Sequence, residues 1–134
     1  MKNIVLYTLV LIILLVGCAG QSTTSNVNLG QEFNLAPNHS VSIIGEPLNI
    51  KFIEVVSDSR CPTGVQCIWA GEVSCLVEIT FNNSKTQKTI TQPGSSLVKT
   101  DFNGYMITAK VEPYPKANQS IEKEDYRLQL KIEK

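Results

Sequence analysis

Val73-Ser74-Cys75-Leu76-Val77-Glu78-Ile79-Thr80-Phe81 alternates apolar and polar residues with a period of two, and only Leu76 breaks the pattern. Successive side chains of a strand point to opposite faces. The stretch therefore puts Val73, Cys75, Val77, Ile79 and Phe81 on a buried face, and Ser74, Glu78 and Thr80 on an open one. The C-terminus repeats the pattern. Tyr126, Leu128, Leu130 and Ile132 share one face, while Arg127, Gln129, Lys131 and Glu133 share the other. Half-buried strands of this kind belong to antiparallel sheets.

Working outward, shorter runs read the same way. Phe33 and Leu35 precede a Pro37-Asn38 turn, and Val41 and Ile43 follow it. Leu48, Ile50 and Phe52 alternate, then Ile53 and Val55 switch face, which predicts a bulge near Phe52. Thr86 to Thr91 and Tyr105 to Val111 complete the set, with turn signals at Gly45-Glu46-Pro47, Asn82-Asn83, Pro93-Gly94 and Asn103-Gly104. No stretch beyond Val27 carries a helical period. Seven or eight short strands in about 105 residues predict an all-β, antiparallel β-sandwich of immunoglobulin-like size, with a small β-barrel as the alternative.

The 134 residues begin differently. Lys2 is followed by an apolar run from Ile4 to Val16, interrupted only by Tyr7 and Thr8. That is the length of a signal-peptide core, shorter than the ~20 residues of a spanning helix. The run ends in Leu15-Val16-Gly17-Cys18, which resembles the lipobox of prokaryotic lipoproteins. The resemblance implies cleavage after Gly17, a diacylglyceryl group on Cys18 and extracytoplasmic anchoring to the cell membrane or outer membrane. Ala19 leans toward the outer membrane in a two-membrane envelope. The expected organisation is a leader over 1–17, a polar tether over 18–26 and a domain over 27–134.

The whole chain balances 12 basic against 12 acidic residues, and loss of Lys2 with the leader leaves a net charge of 11 − 12 = −1. Nucleic-acid binding through a basic footprint is not expected. No phosphate loop, H-E-x-x-H or EF-hand pattern occurs, and no cofactor is implied. The single histidine, His39, reads as a turn residue beside Ser40. A catalytic histidine needs an orienting carboxylate and a nucleophile held in register.

The densest segment is Asp58-Ser59-Arg60-Cys61-Pro62-Thr63-Gly64-Val65-Gln66-Cys67-Ile68-Trp69-Ala70-Gly71. Cys61 and Cys67 bracket a short loop that Pro62 and Gly64 let turn back on itself, and a disulfide is expected in an exported domain. Pairing of Cys75 with either of them, a redox-active pair and a metal site are the alternatives. Two cysteines and one distant histidine are too few ligands for the last. Cys75, on the apolar face of its strand, reads as a buried free thiol. Asp58 is expected to cap the turn, and Arg60 to pair with Asp58 or Glu72; either residue could instead contact a ligand. Trp69 is expected to plug the core beneath the loop, an exposed contact residue being the alternative.

The sequence DSRCP at Asp58–Pro62, C-x-WAG at Cys67–Gly71, PYP at Pro113–Pro115 and DYRLQL at Asp125–Leu130 resembles a family of small uncharacterised prokaryotic lipoproteins. The resemblance carries no activity. It favours the Cys61–Cys67 pairing and leaves Cys75 over. The functional expectation is a non-enzymatic envelope module that binds a protein or glycan. An exported protease inhibitor presenting the Cys61–Cys67 loop is the alternative, and a small hydrolase or redox enzyme is a more distant one.

Overall fold

A computed structural model describes residues 23–134. The leader, Cys18 and most of the expected tether lie outside the described residues. Nine strands follow in order: β1 Thr24–Val27, β2 Glu32–Leu35, β3 Ser40–Ile43, β4 Leu48–Asp58, β5 Glu72–Phe81, β6 Ser84–Pro93, β7 Val98–Phe102, β8 Tyr105–Glu112 and β9 Arg127–Glu133. They form a five-stranded sheet ordered β1-β3-β4-β5-β6 and a four-stranded sheet ordered β2-β9-β8-β7. The two sheets are separate, so the fold is a sandwich and not the alternative barrel.

The period-two faces become the core. Val73, Cys75, Val77 and Ile79 of β5 are buried, as are Tyr126 and Leu128, Leu130 and Ile132 of β9. Phe52, Ile50 and Val41 close the core from the neighbouring strands. Burial of such side chains is worth about 1.5–3 kcal/mol each. The bulge expected near Phe52 is present: the β4–β5 register shifts between Phe52 and Glu54, and again between Val55 and Ser57. Asn82-Asn83 and Asn103-Gly104 all hold positive φ. Tight two-residue hairpins need that conformation, because their twist matches that of the flanking strands.

Two elements differ from the expectation. β1 begins at Thr24, inside the stretch expected as tether, and pairs in parallel with β3, Thr24 opposite Ser40 and Val27 opposite Ile43. Its first three residues are exposed and polar, so no hydrophobic period marks it. β7 is half-exposed Val-Lys-Thr-Asp-Phe on a sheet edge, and an edge strand shows one weak face only.

The sandwich has two distinct ends. At one, Phe81 meets Tyr105 and Phe102 edge-on at 6.0 and 6.2 Å, closing the sheets over each other. At the other, the ends of β4, β6 and β8 converge with the start of β5 and β9. There the buried Gln92 joins the sheets: its Nε2 donates to Gly94 O at 3.1 Å and its Oε1 accepts from Val111 N at 2.6 Å. This second end carries the cysteine loop.

Candidate functional site

The loop between β4 and β5 is an extension of their ladder. Ser59 N donates to Glu72 O at 2.8 Å and Cys61 N to Ala70 O at 2.8 Å. Gly71 sits between these rungs at φ +67°, and a Cβ there would lie 1.9 Å from the Ser59 carbonyl oxygen. Only glycine lets the two chains approach so closely. Past the ladder, Cys61 and Cys67 are joined by a disulfide with their Cα atoms 5.9 Å apart. The opposite side of the loop docks on the segment after β8. Thr63 N donates to Pro115 O and Ala117 N to Thr63 O, both at 3.0 Å.

Arg60 organises the base. Its side chain is fully buried, and its Nε donates to Asp58 Oδ1 at 2.8 Å while Nη2 pairs with Asp58 Oδ2. Nη1 reaches Val111 O at 2.9 Å and Nη2 also reaches Pro113 O at 3.0 Å, so one guanidinium ties β4 to the end of β8. The Tyr114 ring lies over it, 5.1 Å from the centroid. A planar guanidinium with fixed donors suits this multi-acceptor position, whereas a lysine ammonium is a point charge.

Asp58 caps the turn as expected, accepting from Arg60 N at 3.2 Å. It also accepts from the Tyr126 hydroxyl at 3.1 Å. Burial would raise its pKa, but the hydrogen bonds and charge of Arg60 outweigh burial and hold the carboxyl below its ordinary value. Burial, then the Asp58 charge, pushes Tyr126 up to about 12. Among the described residues, no buried side-chain nitrogen or oxygen lacks a partner. Asp58 and Arg60 are thus committed to each other and to the backbone, and they support the loop.

Trp69 is a correction. It is 82% exposed and Ile68 is 93% exposed, with Val65 at 51% on the same loop. The indole stands outside, while at the base of the loop the buried Arg60 stacks on the Tyr114 ring. From Cys61 to Gly71 no residue is charged. The site is a pinned, electrically neutral loop that displays an isoleucine and a tryptophan to solvent.

Cys75 and His39, the other reactive side chains the sequence singles out, lie apart from the loop. Cys75 is fully buried and unpaired, and burial pushes its thiol up to about 12, so no thiolate is presented. His39 Nδ1 lies 3.0 Å from Pro37 O, while Ser40 Oγ is bonded to Thr24 Oγ1 at 2.8 Å, so the adjacent pair engages different partners. His39 does line an open depression of about 560 Å³ with Glu54, Lys123, Glu124 and Arg127, a grouping from three separate segments that no sequence spacing marks. No cluster of three metal-ligating side chains occurs among the described residues. No protein family matches the chain, nor does any curated protein or solved structure.

Proposed function

We propose that the protein is a lipid-anchored, extracytoplasmic binding module without catalytic chemistry, tethered through a diacylglyceryl group on Cys18. Its contact surface is the Ile68–Trp69 face of the disulfide-closed loop. One observation carries the reading: the most exposed large apolar side chains among the described residues stand on the most heavily braced loop. Large aromatic side chains in solvent mark interaction sites when they cluster on a rigid frame. The absence of an assembled nucleophile–base pair around His39 or Cys75 weighs in the same direction. The pairing of Thr63 with Pro115 and Ala117 weighs against the inhibitor alternative, because the loop tip has already used the backbone groups that would engage a protease cleft.

Photo-crosslinking in intact cells tests the surface. A photoreactive residue at position 68 is expected to give an adduct. The same residue at Met106, exposed on the far end of the sandwich, is expected to give none. Equal labelling at both positions refutes the reading. Fatty-acid labelling tests the anchor, and label retained by Cys18→Ser contradicts it.

A further inference from the structure

We infer that Ile68 and Trp69 form a second membrane contact, a small interfacial wedge that seats the cysteine-loop end of the sandwich on the bilayer to which Cys18 is anchored. The inference rests on the Cys18 anchor proposed above and deepens it by naming the bilayer as what the loop touches.

Direction comes first. β1 runs parallel to β3, and Thr24 is level with Ser40, which is level with Lys51 of β4. β4 then continues from Lys51 to Asp58, where the loop begins. The chain therefore enters β1 from the side on which the cysteine loop stands, and runs away from it. Thr24, the first residue of β1, therefore stands at its loop-facing end.

Length comes second. The five steps from Cys18 to Thr23 span at most about 18 Å when fully extended. The seven steps from Lys51 to Asp58 rise about 17–23 Å, the lower figure allowing for the two bulges. The reach of the chain from Thr23 to Cys18 is thus comparable with the rise of β4 to the base of the loop. A bilayer that holds the acyl chains of Cys18 cannot recede far from Ile68 and Trp69.

Composition comes third. A side chain reaching the acyl-chain boundary must not carry unpaired charge into it. The eleven residues from Cys61 to Gly71 include none that is charged, and the charge at their base, Arg60, is buried and paired with Asp58. Tryptophan favours this depth because its ring is apolar and its N–H still finds a partner. Lys116, exposed and bridged through its backbone to Thr63, stands beside the loop, where a cation meets lipid phosphates. The opposite end of the sandwich displays Glu46 and Lys134, and its exposed apolar side chains, Ile44 and Met106, come from separate segments and are less exposed than Ile68 and Trp69.

Trp69 is the only tryptophan in the chain, so its fluorescence reports on this loop alone. The test uses the full lipidated chain in phosphatidylcholine vesicles brominated high on the acyl chains. The chain is expected to float with the vesicles, and Trp69 to lose roughly half or more of its emission relative to unbrominated vesicles, as an indole at the interface would. Ile68→Asp should float and melt like the parent, while bromolipid quenching falls roughly threefold or more, because a charge lifts the loop out. A chain that floats with Trp69 unquenched leaves the anchor standing and overturns the inference. A chain that does not float overturns both. A Trp69 unquenched by lipid in vesicles, together with a photoreactive residue at position 68 that crosslinks a protein in native membranes, assigns the patch to a protein partner and overturns the inference.

Discussion

Replacing Arg60 by Met removes a buried cation and keeps the unbranched stem. The structure sets the size of the loss. Asp58, whose side chain is only 11% exposed, is left with the Tyr126 hydroxyl and one backbone amide; Val111 O and Pro113 O lose their donor. Removing one partner of a buried pair costs about 3–5 kcal/mol, because the remaining charge is largely shielded from water and has no counter-ion. At about 2.1 cal/mol/K of unfolding entropy per residue, a domain of this size loses about 13–20 °C of melting temperature. Asp58→Asn strands Arg60 in turn and should cost a comparable amount. The double variant should lose about 2 kcal/mol or more less than the sum, as contacting residues do. Thermal unfolding of the four proteins by circular dichroism measures this. A loss below about 1.5 kcal/mol for Arg60→Met, or additivity within about 0.5 kcal/mol, refutes the role given to the pair. The pH dependence supplies a second check. A carboxyl held below its ordinary value of 3.8 contributes stability that is present above that pH and lost as pH falls through the folded-state value. Below about pH 4 the parent should therefore approach Asp58→Asn in stability.

Three further outcomes follow from the same geometry. Cys61→Ser with Cys67→Ser should lower stability by about 2–2.5 kcal/mol, the chain-entropy value for a seven-residue loop, and should lower the fluorescence anisotropy of Trp69; an unchanged anisotropy means the bridge does not order the loop. Gly71→Ala meets the Ser59 carbonyl and a positive φ together, so it should cost more than the about 1–2 kcal/mol of left-handed backbone strain alone, read by urea unfolding. Under native conditions without reductant, alkylation should leave Cys75 unmodified, and denaturant should expose that one thiol among the described residues; mass spectrometry that finds Cys61 or Cys67 alkylated contradicts the pairing.

What was legible in the sequence follows from range. The alternation in β5 and β9, the Asn-rich hairpins, the bulge after Phe52 and the Cys61–Cys67 bridge depend on neighbours a few residues apart. Asp58 as a cap, with Arg60 as its partner, is equally local. Arg60 also binds Val111 O and Pro113 O, more than fifty residues away, and Gln92 bridges to Val111 across the sandwich. No period or spacing marks such contacts. Trp69 was misplaced for a related reason. A large aromatic side chain reads as core, but here the buried position in the segment belongs to Arg60, held by Asp58 and stacked on Tyr114. Cys61–Gly71 carries neither a charge nor a period that separates an inner from an outer face, so nothing in the sequence marked the indole as outward.

The bracing of the loop and the size of its contact surface explain each other. Ordering a residue costs about 1–2 kcal/mol of backbone entropy, so a free loop of eleven residues would spend far more on binding than two side chains return. Gly71, the Arg60–Asp58 pair, the disulfide and the Thr63 rungs meet that cost during folding instead. Ile68 and Trp69 together return about 3–5 kcal/mol when buried, equivalent on its own to a dissociation constant near the millimolar range. A soluble protein gains little from so weak a contact. The short tether proposed above would change the balance, because it would hold the surface at an effective concentration that is itself about millimolar and keep the contact populated much of the time. On that proposal a rigid, small, neutral patch suffices because the surface it touches is never far away, and the same patch on an untethered chain should bind nothing measurable.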